Sequence, residues 1–405
     1  MTRVFVIGMG LLSTAGLNLE SFWDTLYSGT ITYGGIEEFK NSGNYRVTIG
    51  ARLRDHSYQE YLDSAWKKKY GKASLYSIYA ALAALRDAEF PIGQLPVGRT
   101  AVCMGSTMGE IEVEETISTI RTEKGLDAVP EDLFQKYRTE NICKSILEAT
   151  GASGPVYLAP AACASGNYAI ALGKRLIEWN KADMAIVGGV DVFSRLAFVG
   201  FQRLLSLTPD LCKPFDRTRK GLVVGEGCGI VILAGEKMVK ARNLKVQAEL
   251  SGVGLASDRY HMTSPHPVGE GANRAMNLAF KEAGLDPGSI DYVSAHGTGT
   301  RANDETEIKA LQNVFGGDIP PVSSIKSMLG HAMGAASILE FIASVQMMRS
   351  NTLLPTVNFG EPDPGNETIN FVPNHPQEKK LDCILSNSFA FGGQVSTVIL
   401  KRVAR

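Results

Sequence analysis

Three strand-like segments recur in the same order in both halves of this chain, and that ordered repeat limits the folds open to it. VFVIGMGLLS at 4–13 resembles VQAELSGVGLAS at 246–257, each an apolar run closing on G-x-G-L-x-S. TAVCMGS at 100–106 parallels DYVSAHG at 291–297, and DMAIVGGVDVFS at 183–194 parallels DCILSNSFAFGG at 382–393. A repeat of this kind predicts one supersecondary unit used twice. The join is expected near 240–246, dividing the chain into an N-terminal half, 1–242, and a C-terminal half, 243–405. ASLYSIYAALAALRDA (73–88), ANRAMNLAFKEAGL (272–285) and AASILEFIASVQMM (335–348) carry apolar residues at helical spacing. Strands alternating with such helices predict a layered α/β architecture with buried sheets.

The 405 residues are enough for one large or two ordinary domains with well-buried cores. Lys plus Arg (41) nearly balances Asp plus Glu (42), so no global charge points to nucleic acid or a membrane surface. The six cysteines (Cys103, Cys143, Cys163, Cys212, Cys228 and Cys383) form no CxxC pair and fit free thiols in a reducing compartment. MTRVFVIGMGLLSTAG has the outline of a signal peptide, but its β-branched residues and Gly8-x-Gly10 turn favour a first strand. Residues 152–173 run uncharged for about one membrane thickness, yet Pro155, Pro160 and small polar residues predict a strand, turn and helix. The expected location is the cytoplasm.

Reactive side chains concentrate in three small-residue segments: AACASG around Cys163, AHGTGT around His296, and SSIKSMLGHAMGAAS carrying Lys326 and His331. VYLAP (156–160) reads as a strand and SGNYAIALGKRLIEW (165–179) as a helix, which puts Cys163 at the turn between them. Unpaired N–H groups and the helix dipole favour thiolate at such a position. A free cysteine is more often a small buried hydrophobe, and that reading stands for the other five. At Cys163 the flanking small residues and two histidine motifs favour a nucleophile. Metal binding would need three or four ligands, and no H-E-x-x-H or paired cysteine spacing occurs. Hydrogen-bond donation to a carbonyl oxygen is the better use of two imidazoles beside a thiol. Lys326 among Ser323, Ser324 and Ser327 is expected to be buried and to need an anionic partner, for which Glu307 is the candidate.

These residues resemble the elongating β-ketoacyl-acyl carrier protein synthases. The resemblance runs through VFVIGMGLLS, ACASG, KPFDRTRKGLVVGEGCG (213–229), SDRYHMTSP (257–265), HGTGTRANDETE (296–307), SIKSMLGHAMGAA (324–336) and NSFAFGGQ (387–394). It implies the thiolase fold, five αβαβα layers in two pseudo-symmetric halves. It also implies decarboxylative condensation of an acyl group on Cys163 with malonyl carried by acyl carrier protein. His296 and His331 would bind the malonyl carbonyl, and Lys326, supported by Glu307, would organise the site near His331. The N–H groups of Cys163 and Phe391 would form the oxyanion hole, with Phe391 and the SDRYHMTSP loop as gate. Thr298 and Thr300 would contact pantetheine, and Met108, Ile111 and Phe201 would line the acyl pocket. No metal or bound organic cofactor is implied. The partners would be acyl carrier protein and a second subunit, identical or a related ketosynthase-like chain. The basic run Lys67, Lys68, Lys69 and Lys72 reads either as a solvated face or as the dock for an acidic carrier protein.

The family's usual GFGGTN is AFGGQV at 390–395, Cys228 replaces the usual alanine of an EGAG turn, and 31–60 matches weakly. The altered gate leaves open a ketosynthase subunit of a type II polyketide or polyene synthase, paired with a chain-length factor. A degradative thiolase would need a second cysteine in a C-terminal C-x-G turn, where this chain has SFAFGGQ. A starter-condensing synthase would use Cys-His-Asn, and a chain-length factor would have lost the nucleophile.

Overall fold

The computed structural model describes residues 2–43 and 45–403. Ten strands form the main sheet: β1 (Val4–Ser13), β2 (Thr100–Gly105), β3 (Val156–Ala159), β4 (Met184–Asp191), β5 (Gly227–Gly235), β6 (Ala248–Ser257), β7 (Tyr292–Ser294), β8 (Val322–Ser323), β9 (Cys383–Phe389) and β10 (Gln394–Lys401). Their spatial order is β8-β7-β9-β10-β6-β1-β5-β4-β2-β3. From β1 outward the pairings run antiparallel, antiparallel, parallel, parallel. From β6 outward the same four pairings recur. Segments 4–13, 100–106 and 183–194 become β1, β2 and β4, and their sequence matches become β6, β7 and β9 at mirrored places. The repeat read from sequence is therefore a structural pseudo-symmetry. The halves meet where β1 and β6 pair at Phe5–Glu249 and Val6–Ala248.

The helices α1 (Lys72–Asp87), α2 (Asn141–Thr150), α3 (Ser165–Glu178), α4 (Glu270–Ala283), α5 (Arg301–Phe315) and α6 (Ala336–Ser350) complete five layers. Helices α1 and α2 cover the outer face of the N-terminal strands, α4 and α5 that of the C-terminal strands, and α3 and α6 lie between. Their positions explain the sequence. Strands β1, β2, β4 and β5 are buried along their whole length, because helices lie on both faces, so they read as continuous apolar runs without alternation. Helix α6 is buried on nearly every side, as expected of an interior layer. The uncharged run at 152–173 becomes β3, a short turn and the start of α3. Among the described residues no helix is long and apolar enough to cross a membrane.

Outside the layers, Gly34–Gly35 pairs with Ile49–Gly50, bracketing a short helix at Glu37–Ser42. Phe39, Tyr45, Phe193 and Phe198 form an aromatic cluster there.

Glycine brings the central layer together. A Cβ on Gly189 of β4 would lie 2.5 Å from the Gly334 carbonyl oxygen and 3.2 Å from Gly166 Cα in α3. Because these obstacles are backbone, no side-chain rotation relieves them. Gly189→Ala is expected to lower stability by about 1–3 kcal/mol, the usual scale of overpacking. Urea denaturation checks this, and an unchanged midpoint would contradict the close approach.

Candidate active site

Cys163 occupies a one-turn 3-10 segment, Ala162–Ala164, between β3 and α3. Ala162 just before it takes a left-handed conformation, φ 45°, an unusual backbone for a residue with a Cβ. The turn preceding α6 repeats the design: Met333 has φ 49° and opens the segment Met333–Ala335. In this frame Cys163 and Gly334 are equivalent. The Cys163 carbonyl accepts a hydrogen bond from Ser388 Oγ at 3.2 Å, fixing the Cys163 turn to the end of β9. Burial pushes the Cys163 thiol up to about 12, with the Lys326 charge opposing. Burial thus opposes the thiolate that the helix end favours.

His296 and His331 line the same cavity as Cys163, with ring centroids 5.3 Å apart and planes at 83°. Burial, then the Lys326 charge, hold both imidazoles well below the ordinary range, and for His296 the proximity of His331 adds to this. Both are neutral near pH 7. Met333 N–H donates to His331 Nδ1 at 3.1 Å, and Lys326 Nζ lies 3.3 Å from His296 Nδ1. An ammonium only donates, so Nδ1 is the acceptor in both rings. Each neutral ring then carries its proton on Nε2 and keeps one N–H to offer a substrate oxygen.

The expected Lys326–Glu307 pairing does not form. Lys326 Nζ is ion-paired with Glu340 of α6 and donates to the His296 carbonyl at 2.6 Å. Glu307 accepts the backbone N–H groups of His296 and Gly297, each at 2.8 Å. Its work is to hold the HGTGT turn, and facing two amides it is out of contention for the ammonium. Lys326 also contacts His296 directly, whereas the sequence reading placed its action near His331. Burial pushes Glu307 up to about 8 against these two hydrogen bonds, and Glu340 up to about 7 against Lys326.

Thr298, Thr300, Phe201 and Phe391 also line the cavity, and the threonine hydroxyls are 2.9 Å apart. Phe201 and Phe391 face each other with ring centroids 5.7 Å apart. Gly392 and Gly393 after Phe391 are both left-handed, at φ 83° and 78°. Gly392 N–H donates to the Met262 carbonyl at 2.7 Å, so the SDRYHMTSP loop and the FGG turn are joined. The unusual Gln394 lays its carboxamide against Gly392: Oε1 is 2.7 Å from where a Cβ there would sit. That buried oxygen has no hydrogen-bond partner among the described residues.

Met108 and Ile111 do not line this cavity. Met108 N–H is held by Asp191 at 2.9 Å, and Ile111 packs in the N-terminal core. The basic run is also split. Lys67, Lys68 and Lys69 are exposed, with Lys69 paired to Glu148. Lys72 turns inward to Glu112 at 2.9 Å and Glu226 at 3.1 Å, because it opens α1 rather than continuing the short helix Ser64–Lys69. None of the four lines the cavity.

Asp191 and Glu340 escaped the sequence reading. Asp191 is fully buried at the end of β4 and accepts from Ser106 Oγ at 2.8 Å and Gly334 N–H at 2.6 Å, joining two site loops. Glu340 had a usable signal, as the one charge in ASILEFIASVQMM: a carboxylate in a helix apolar on all sides must find a cation. Among the described residues, no group of three or more His, Cys, Asp or Glu side chains is placed to hold a metal ion.

Residues 1–238 match the family "Beta-ketoacyl synthase, N-terminal domain" and residues 247–360 match "Beta-ketoacyl synthase, C-terminal domain". A 3-oxoacyl-[acyl-carrier-protein] synthase 2 of Staphylococcus aureus is 32% identical over 410 residues, covering 99% of this chain and 98% of that protein. The solved ishigamide ketosynthase/chain length factor superposes with a TM-score of 0.94 at 32% identity, covering 100% of both chains. A type II polyketide ketosynthase solved with its acyl-carrier protein and bound to a hexaketide gives 0.91 at 26% identity, covering 99% of this chain and 100% of that one. This chain belongs to the β-ketoacyl synthase family and has the five-layered thiolase fold.

Proposed function

We propose that this protein condenses an acyl group held on Cys163 with malonyl-acyl carrier protein, releasing CO2 and a β-ketoacyl carrier protein two carbons longer. The observation that carries this reading is a thiol and two neutral imidazoles, each with a free Nε2–H, on one cavity.

In the first step Cys163 sulfur attacks the acyl thioester, the carrier's C–S bond breaks, and the thiol proton passes to the departing carrier sulfur. No histidine has to take that proton. Malonyl then enters with its thioester carbonyl accepting from His296 and His331. Loss of CO2 leaves its electron pair as an enolate, and two preorganised donors in a dry site stabilise the charge growing on that oxygen. The enolate carbon attacks the acyl-Cys163 carbonyl, whose oxygen is received by the N–H groups of Cys163 and Phe391. The C–S bond to Cys163 breaks, and the sulfur takes one proton from solvent, the proton that loss of the malonyl carboxylate as CO2 consumes. Covalent capture divides one hard bimolecular step into two easier ones. Thr298 and Thr300 receive the pantetheine arm, and Phe391 gates malonyl entry. Lys326 and Glu340 act through His296, by holding its tautomer and carbonyl. The reaction needs neither metal nor bound organic cofactor, and six free, buried cysteines fit a reducing cytoplasm. The two halves, 1–242 and 243–405, supply Cys163 and the two histidines respectively.

The partners are an acyl carrier protein, docked at Lys67, Lys68 and Lys69, and a second subunit. Two features favour a chain-length-factor subunit in that place: one of the solved neighbours at TM-score 0.94 is named as a ketosynthase/chain length factor, and the turn after Phe391 carries Gln394 where the family has threonine.

Cys163→Ala is expected to abolish condensation, while Cys163→Gln retains malonyl decarboxylation because both histidines remain. His296→Ala and His331→Ala should each lose decarboxylation by roughly 10²-fold. Mass spectrometry of the acyl-enzyme and CO2 release check these, and condensation by Cys163→Ala would overturn the mechanism.

Glu340→Gln leaves Lys326 buried without its counter-charge and is expected to cost about 3–5 kcal/mol, measured by urea denaturation. An unchanged stability would show that the pair is not what holds the ammonium.

Lys68→Glu with Lys69→Glu should raise KM for carrier-bound substrates and spare small acyl thioesters. The difference should shrink as salt rises, since exposed charges are screened over about 8–10 Å. Equal kinetics with both substrate types in variant and parent would remove these lysines from the dock.

A further inference from the structure

The cavity wall has a second layer, built from a part of the chain where the family resemblance is weak. Helix 195–203 presents Phe201 to the cavity and Phe198 to the protein interior, where Phe198 is fully buried. Behind Phe198 stand Phe39, at a ring distance of 4.6 Å, and Tyr45, at 5.9 Å. Phe39 and Tyr45 are stacked at 4.3 Å. Phe201 packs against this same cluster, and Leu222, a member of it, lines the cavity beside Phe201. A polar tie fixes the register: Val47 N–H donates to Gln202 Oε1 at 3.0 Å. Gly50 is in equally close contact, since a Cβ there would lie 2.8 Å from the Phe193 ring.

Aromatic packing at interior density leaves little slack, so a change behind a helix moves what the helix presents in front. On the near side, Phe201 meets the Phe391 ring at 5.7 Å. We infer that the cluster of Phe39 and Tyr45, through helix 195–203, sets the separation of Phe201 and Phe391 and so selects which acyl groups reach Cys163. Phe39 and Gln202 are positioning residues that touch no reacting atom. This inference rests on the reading of Cys163 as the acyl acceptor.

The test is acylation of Cys163 by matched short- and long-chain acyl carrier proteins, followed by mass spectrometry of the intact chain. Phe39→Ala is expected to raise the long-to-short loading ratio by about tenfold, the scale on which a pocket separates substrates by one methylene. Phe39→Leu should fall between it and the parent. Gln202→Met removes only the Val47 tie and should shift the ratio in the same direction, even if Phe39→Ala fails to fold. Loading is read before malonyl is added, so the ratio does not depend on malonyl entry past Phe391. An unchanged ratio in Phe39→Leu and Gln202→Met would overturn the inference, as would an equal fall for all chain lengths. Failure of the parent to take any acyl group would instead overturn the proposed condensation.

Discussion

A buried ammonium is what the centre of this protein is arranged around. Lys326 is 1% exposed, and an unpaired cation at such a place costs several kcal/mol. Its compensation comes from Glu340 on the central helix and from the carbonyl of His296 in the turn after β7. These contacts tie three elements to one atom. Because the ammonium can only donate, it also determines which nitrogen of His296 carries the proton. Electrostatic compensation and the tautomer of His296 are therefore one constraint. Glu307 supports the same turn from the other side through its two amide hydrogen bonds.

Much of the scaffold was legible because duplication writes a pattern at low resolution. A strand buried on both faces needs only apolar residues and a length, and VFVIGMGLLS and DMAIVGGVDVFS supply both. The chemical side chains were legible for a related reason: small residues crowd around Cys163, His296 and His331 where backbones meet. Pairings were harder to read. Glu307 and Glu340 are both buried carboxylates in helices, and choosing between them requires knowing which helix faces Lys326. The basic run misled at Lys72 because a helix start turns the chain, so consecutive lysines do not share a face. Met108 and Ile111, expected to line an acyl pocket, lie off the cavity that holds Cys163. The backbone at Met108 is held by Asp191, a residue that no motif advertised.

The turn after Phe391 shows how a substitution can keep a backbone while changing its surroundings. Gly392 and Gly393 hold left-handed conformations open to glycine at little expense. Gln394 then covers Gly392 with a carboxamide whose oxygen has no partner among the described residues. Such an orphan acceptor is a small stress on the present arrangement, and it sits beside the hydrogen bond from Gly392 to Met262. Sequence showed the substitution, and only the fold shows which glycine it leans on.

The pseudo-symmetry carries a consequence for how the site receives an oxygen atom. Cys163 and Gly334 stand at equivalent turns, and the repeat that aligns 183–194 with 382–393 sets Asp191 opposite Ala390. At Gly334 the amide already holds an Asp191 carboxylate oxygen at 2.6 Å. At Cys163 the mirrored strand end offers a methyl group that lines the cavity. In the proposed reaction the thioester oxygen takes, in one half, the berth that the protein's own side chain fills in the other. One unit, used twice, has one amide sealed from within and its twin left for a guest.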